Sequence, residues 1–209
     1  MRATKALFMS MLMVGLVAGT AKAAPADVQH FTFRGSFAEA LWFTSTDTSA
    51  TDTYINPSKT RQGRELFVDQ FTENFDGNGN FTGATDTFAD VTTGFAFTID
   101  ASKLSSASVS GSGLPATTCS YDGDFNLIGC VDTTIDVDAT WAGQGPIGRD
   151  TFAEHFKSDG FSFTDHFHGT SRDATASGTV GGLTLTSSDL EFADMGKANF
   201  GETDICIGC

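Results

Sequence analysis

His166-Phe167-His168 places two imidazoles two residues apart. On a β-strand that spacing projects both rings to one side, and such H-x-H pairs can ligate zinc, copper or iron. Two ligands do not complete a shell, so His30, His155 or an acidic side chain would have to supply the rest. A divalent metal held by His166 and His168 is one reading of the pair. The plainer one is two solvated histidines on a surface strand.

Sulfur is the second chemistry. Cys119, Cys130, Cys206 and Cys209 make an even count, which in an exported chain points to two disulfides among three connectivities. The segment from Cys119 to Cys130 reads as a hairpin with its tip at Gly123 to Asn126, which sets the two cysteines opposite each other and favours that pair. Cys206-Ile-Gly-Cys209 has the C-x-x-C spacing of redox proteins, but that chemistry relies on a helix N-terminus to lower the thiol pKa. With the sequence ending at Cys209, a structural clip is expected instead. A zinc site built from all four cysteines is the remaining use.

Carboxylates are the third. Asp76-Gly-Asn78-Gly-Asn80 and Asp122-Gly-Asp124-Phe-Asn126 both echo the start of a calcium loop. Each then departs from it, with Phe81 or Leu127 where Gly belongs and no Glu at the last ligand position. Hairpin turns rich in Asp, Asn and Gly account for both. Asp136 and Asp138 share a face, as a glycosidase pair would, but alternation turns them and Asp132 toward water. There is no G-x-S-x-G and no cysteine beside a histidine. Trp42, Trp141, Tyr54 and Tyr121 could form an aromatic platform for sugars. Trp42 has the opposite parity to Leu41 and Phe43 and is expected outside, whereas Trp141 shares the core parity of its strand.

The elements that position these residues are strands. Val131, Thr133, Ile135, Val137, Ala139 and Trp141 alternate with Asp132, Thr134, Asp136, Asp138 and Thr140, giving a core face and an acidic face. Phe31, Phe33, Phe37, Leu41 and Phe43 share one parity, with Gly35 a bend; Phe95, Phe97 and Ile99 repeat the pattern. Phe161, Phe163 and Phe167 are expected inward, leaving Thr164, His166 and His168 outward. Asn78-Gly79, Asp122-Gly123 and Gly181-Gly182 mark turns. Residues 64–75 and 151–157 read equally as helix or strand, and residues 44–53 read as a polar surface loop. The F-x-G triplets at Phe33, Phe81 and Phe167 are too irregularly spaced for a repeat and suit recurring strand bends. Many short strands with frequent turns predict an all-β chain, a single antiparallel β-sandwich domain, with a closed β-barrel as the runner-up.

The start of the chain sets the compartment. Arg2 and Lys5, an apolar run from Ala6 to Ala18, and Ala21-Lys22-Ala23 follow the order of a secretory signal peptide over residues 1–23. The run is shorter than the ~20 residues of a membrane-spanning helix. The domain is expected over residues 24–209, in a secreted or periplasmic protein with no membrane span. Cleavage would remove three positive charges from a formal net charge of −14, leaving −17. That sign argues against nucleic acid and anionic membrane surfaces, and suits solubility or cationic partners.

Val137-Asp-Ala-Thr-Trp141-Ala-Gly-Gln-Gly145-Pro146, Phe167-His-Gly-Thr-Ser-Arg172-Asp-Ala174-Thr-Ala-Ser-Gly178 and the terminal Ile207-Gly208-Cys209 lie in the last third of the chain. Through them the chain resembles a loose group of uncharacterised bacterial exported proteins that end in I-G-C. The resemblance implies bacterial export and a structural final cysteine, and carries no activity. The expected function is a non-catalytic β-sandwich acting on an unidentified extracellular macromolecule or surface component, at the cell surface or in the extracellular matrix. The alternatives are a barrel carrying a small apolar ligand among its Phe side chains, and a metal-dependent enzyme using His166 and His168.

Overall fold

The computed structural model describes the backbone of residues 27–158 and 161–206, and side chains over 32–157 and 162–201. The expected leader and Cys209 lie outside the described residues. Eleven strands follow in order: β1 (Asp27–Ser45), β2 (Ser49–Thr60), β3 (Arg64–Phe75), β4 (Phe81–Val91), β5 (Phe95–Ile99), β6 (Ser106–Asp122), β7 (Leu127–Gly143), β8 (Gly148–Ser158), β9 (Phe161–Val180), β10 (Leu183–Leu185) and β11 (Leu190–Cys206). The two ambiguous segments are strands β3 and β8; four-residue spacing of Phe67, Phe71 and Phe75 also satisfies strand parity.

All pairings are antiparallel, and three long strands are shared between two layers. The first sheet runs β8, the first part of β9, β11, β1, β2, β3, β4, the second part of β6 and the start of β7. The second sheet runs β5, the first part of β6, the second part of β7, the end of β9 and β10. Strand β6 changes layer where its register against β7 slips between Gly111 and Leu114, with Gly113 at φ 61°. A bulge is the usual device for such a corner.

The layers close on a filled core. Trp42, Ile55, Leu66 and Val68 from the first sheet meet Phe97, Val109, Val137, Trp141, Val180 and Leu185 from the second, each at most 2% exposed. Burial of a large apolar side chain stabilises by roughly 1.5–3 kcal/mol relative to exposure. Three polar side chains span the gap: Trp42 Nε1 donates to the Ala176 carbonyl, Trp141 Nε1 to Glu39 and Gln70 Nε2 to Val180. The architecture is the sandwich-like all-β fold expected from the alternation.

Two expectations reverse. On β1 the inner face is Ala38, Ala40 and Trp42, while Phe43 is exposed and Phe33, Phe37 and Leu41 are half-buried outside. The reason is volume. An indole reaching across to the second sheet fits only beside small neighbours, so Ala rather than Phe takes the inner positions. Among the described residues Phe97 is the one Phe in the core cluster, with Phe95 packed against it, and the buried Phe200 lies outside that cluster. On β9, likewise, Ala174, Ala176 and Val180 are inward, and Phe163 and Phe167 stand on the opposite face. The polar stretch 44–53 is mostly strand, with a turn at residues 46–48, and Thr53 is fully buried.

Candidate functional site

Cys119 and Cys130 are cross-strand partners on β6 and β7 and form a disulfide, Cα to Cα 4.0 Å, as the hairpin reading expected. Cys206 pairs through its backbone with Asp27 and Phe161. Its side chain lies outside the described residues.

The loop carboxylates are spent on their own turns. Asp76 accepts from the backbone N–H of Asn78 at 2.8 Å and of Asn80 at 2.9 Å, and from the Asn80 side chain at 2.9 Å. Asp122 makes the equivalent bonds to Asp124 and Asn126. Asn80 and Asn126 hold these carboxyls below the ordinary carboxylate range. Asp136 stabilises the β6 corner, accepting from the Gly113 N–H and the Ser112 hydroxyl, each at 2.7 Å. Those bonds lower its pKa, the opposite of what a general acid requires. The shallow depression beside Asp136 and Asp138, 380 Å³, also carries Ser110 and Thr179.

The carboxyl that is raised is one that alternation did not single out. Asp69 on β3 is pushed up to about 6 by burial, then by the charge and hydrogen bond of Asp86 on β4, with a further push from Asp52. Asp69 and Asp86 each bury their Oδ1 atom, and a proton held on Asp69 supplies the hydrogen bond between the two carboxyls. Nearby, Tyr54 donates to Glu39 Oε2 at 2.7 Å, and burial and that carboxylate hold the phenol well above its ordinary pKa. These groups sit on the outer face of the first sheet beside Phe67 and Phe88, both exposed by more than a third. Trp42, expected outside, is fully buried, so no aromatic platform includes it.

Thr164, His166 and His168 are exposed, as expected. His168 Nδ1 shares a hydrogen bond with Thr151 at 2.9 Å, and His155 Nδ1 with Thr164 at 2.9 Å. The backbone of His30 pairs with Thr203. Among the described residues no group of three or more His, Cys, Asp or Glu is placed to hold a metal.

The histidines belong to a larger surface. Their positions on β9 have the parity of Ala174 and Ala176, so they lie on the core face carried past the end of the core. One row across six strands there reads Arg149, Thr170, Lys197, Ser36, Lys59 and Arg64. The next reads Thr151, His168, Asn199 and Arg34, and the one after it Ala153, His166, Gly201 and Thr32. Lys157 and His155 continue it along β8. Twelve Lys and Arg occur in the whole chain, three of them in the expected leader, and six stand on this face, all exposed. Arg172, also of this parity, turns to the carbonyls of Gly145, Lys103 and Leu104. No acidic residue occupies the face among the described residues.

The reverse face of the same strands is its opposite. It carries the row Phe152, Phe167, Phe200 and Phe33, with Phe152 stacked on Phe167, and then the acidic partners Glu154 and Asp165. The formal charge of −14 therefore averages two unlike surfaces. No single-strand pattern reveals this, because the cations come from β1, β2, β3, β8 and β11 and meet only through register. The one local signal is the H-x-H alternation. No family model, curated protein or solved structure matches the chain.

Proposed function

We propose that the protein is an exported β-sandwich that acts by interaction, at the cell surface or in the extracellular matrix, and not by catalysis. The observation that carries this reading is the exposed, acid-free cationic face on an otherwise acidic chain. Sustaining like charges side by side costs stability in a sheet, and a partner of opposite sign offsets that cost. The Cys119–Cys130 disulfide is compatible with an oxidising compartment outside the cytosol. Two surface depressions among the described residues are shallow, 220 and 380 Å³, and lined mainly by Ser, Thr and Asp rather than by a converging acid, base and nucleophile.

Native mass spectra of the protein recovered from medium or periplasm test the reading against its alternatives. It expects a bare protein mass. A copurified apolar molecule would favour the carrier, and a bound metal lost in H166A/H168A would favour the metal enzyme.

A further inference from the structure

We propose that the cationic face is a binding surface for an anionic polysaccharide, a polymer bearing carboxylate or sulfate groups. The inference rests on the interaction reading above and names its partner class. Arg34, Lys59, Arg64, Arg149, Lys157 and Lys197 are exposed on one side of a continuous sheet. Six strands at ~4.8 Å spacing span roughly 24 Å, and same-face residues recur about every 6.8 Å along each strand. A lattice of cations with that pitch meets a polymer with regularly repeated anions better than it meets one small anion, because the charges are spread over six strands rather than gathered at one point. Thr32, Thr151 and Asn199 stand between the cations and supply donors and acceptors for sugar hydroxyls.

Nucleic acid fits less well. Non-specific single-strand binding joins a cationic groove to aromatic side chains on which bases stack. Here Phe152, Phe167 and Phe33 lie on the reverse face, and the cationic side offers no Phe, Tyr or Trp among the described residues. Duplex grooves admit a helix or a two-stranded ribbon, not the face of a wide sheet. A second copy of the chain could present acidic surface, but it brings its own large negative charge to a rigid encounter. A flexible polymer can follow this face alone.

The test uses the full exported chain and four probes: polygalacturonate for carboxylates, dextran sulfate for sulfates, double-stranded DNA as the competing polyanion, and neutral dextran as control. Binding is measured at about 50 and about 200 mM NaCl, where charge-driven association weakens steeply. The expected result is binding to at least one anionic polymer, none to dextran, and at least a tenfold loss with salt. R34Q/R149Q/K197Q should lose at least tenfold more. T134E/S177E/S187E, which changes net charge equally on exposed positions elsewhere, should lose under threefold. Equal loss in the two variants, no binding to either anionic polymer, or tighter binding of double-stranded DNA would overturn the proposal. So would self-association abolished by the first variant. If the wild type stays on cell-surface material while binding neither polymer, only this inference falls; if it remains wholly free in the medium, the interaction reading falls with it.

Discussion

Trp42 and Trp141 cross the core in opposite directions. The indole N–H of Trp42, on the first sheet, donates to the Ala176 carbonyl on the second at 3.4 Å, and that of Trp141 donates back to the backbone carbonyl of Glu39 at 2.9 Å. Each ring fills the gap between layers and satisfies its one polar atom, so the two side chains fix the spacing of the sandwich. W141F keeps most of the volume and loses the donor, and should cost about 1–2 kcal/mol in urea unfolding. W141A should cost about 3–5 kcal/mol. A neutral W141F would mean the indole bond does not help hold the layers.

The Cys119–Cys130 bridge closes a short loop, with a sequence separation of 11. Loop-closure entropy for that length predicts a loss of about 2–3 kcal/mol in C119A/C130A. Reduction of the wild type should reproduce most of that loss under the same denaturant conditions.

Asp69 makes stability depend on pH in the unusual direction for a carboxyl. Its folded pKa, about 6, lies above the ordinary 3.8, so between those values the folded state binds more protons than the unfolded one. Stability from this group is present at low pH and falls as pH rises through 6. D69N should therefore raise Tm at pH 7.5 and leave it nearly unchanged at pH 4. A lower Tm at pH 7.5 would show that the ionised carboxylate is wanted there.

In Phe167-His168-Gly169 the glycine has a local reason. A Cβ on Gly169 would lie 2.5 Å from Phe167 Cζ, because the ring folds over the glycine two residues on. G169A should destabilise by about 1–3 kcal/mol through overpacking, read by thermal melting. G129A, on an exposed strand position with open space around it, is the control expected within ~0.5 kcal/mol.

How legible all this was depends on which residues carried the signal. β7 could be read outright, since Ile135, Val137, Ala139 and Trp141 alternate with exposed Asp and Thr. The Cys119–Cys130 pair followed from hairpin register. β1 does not reveal its core face by alternation because both of its faces are apolar: the large residues Phe33, Phe37 and Phe43 lie outside, and small Ala38 and Ala40 make room for Trp42. Hydrophobicity ranks Phe above Ala, whereas the core selected for shape. The Asp69–Asp86 pair and the cationic face arise from cross-strand neighbours distant in sequence, which periodicity within one strand cannot reveal.

The most direct measurement of the central claim is the partition of the protein between washed cell-surface and matrix material and free medium. The account predicts that the wild type is retained at low salt and released as salt rises, and that R34Q/R149Q/K197Q is retained at least tenfold less. Wild-type protein found wholly in the free medium at every salt concentration would contradict it.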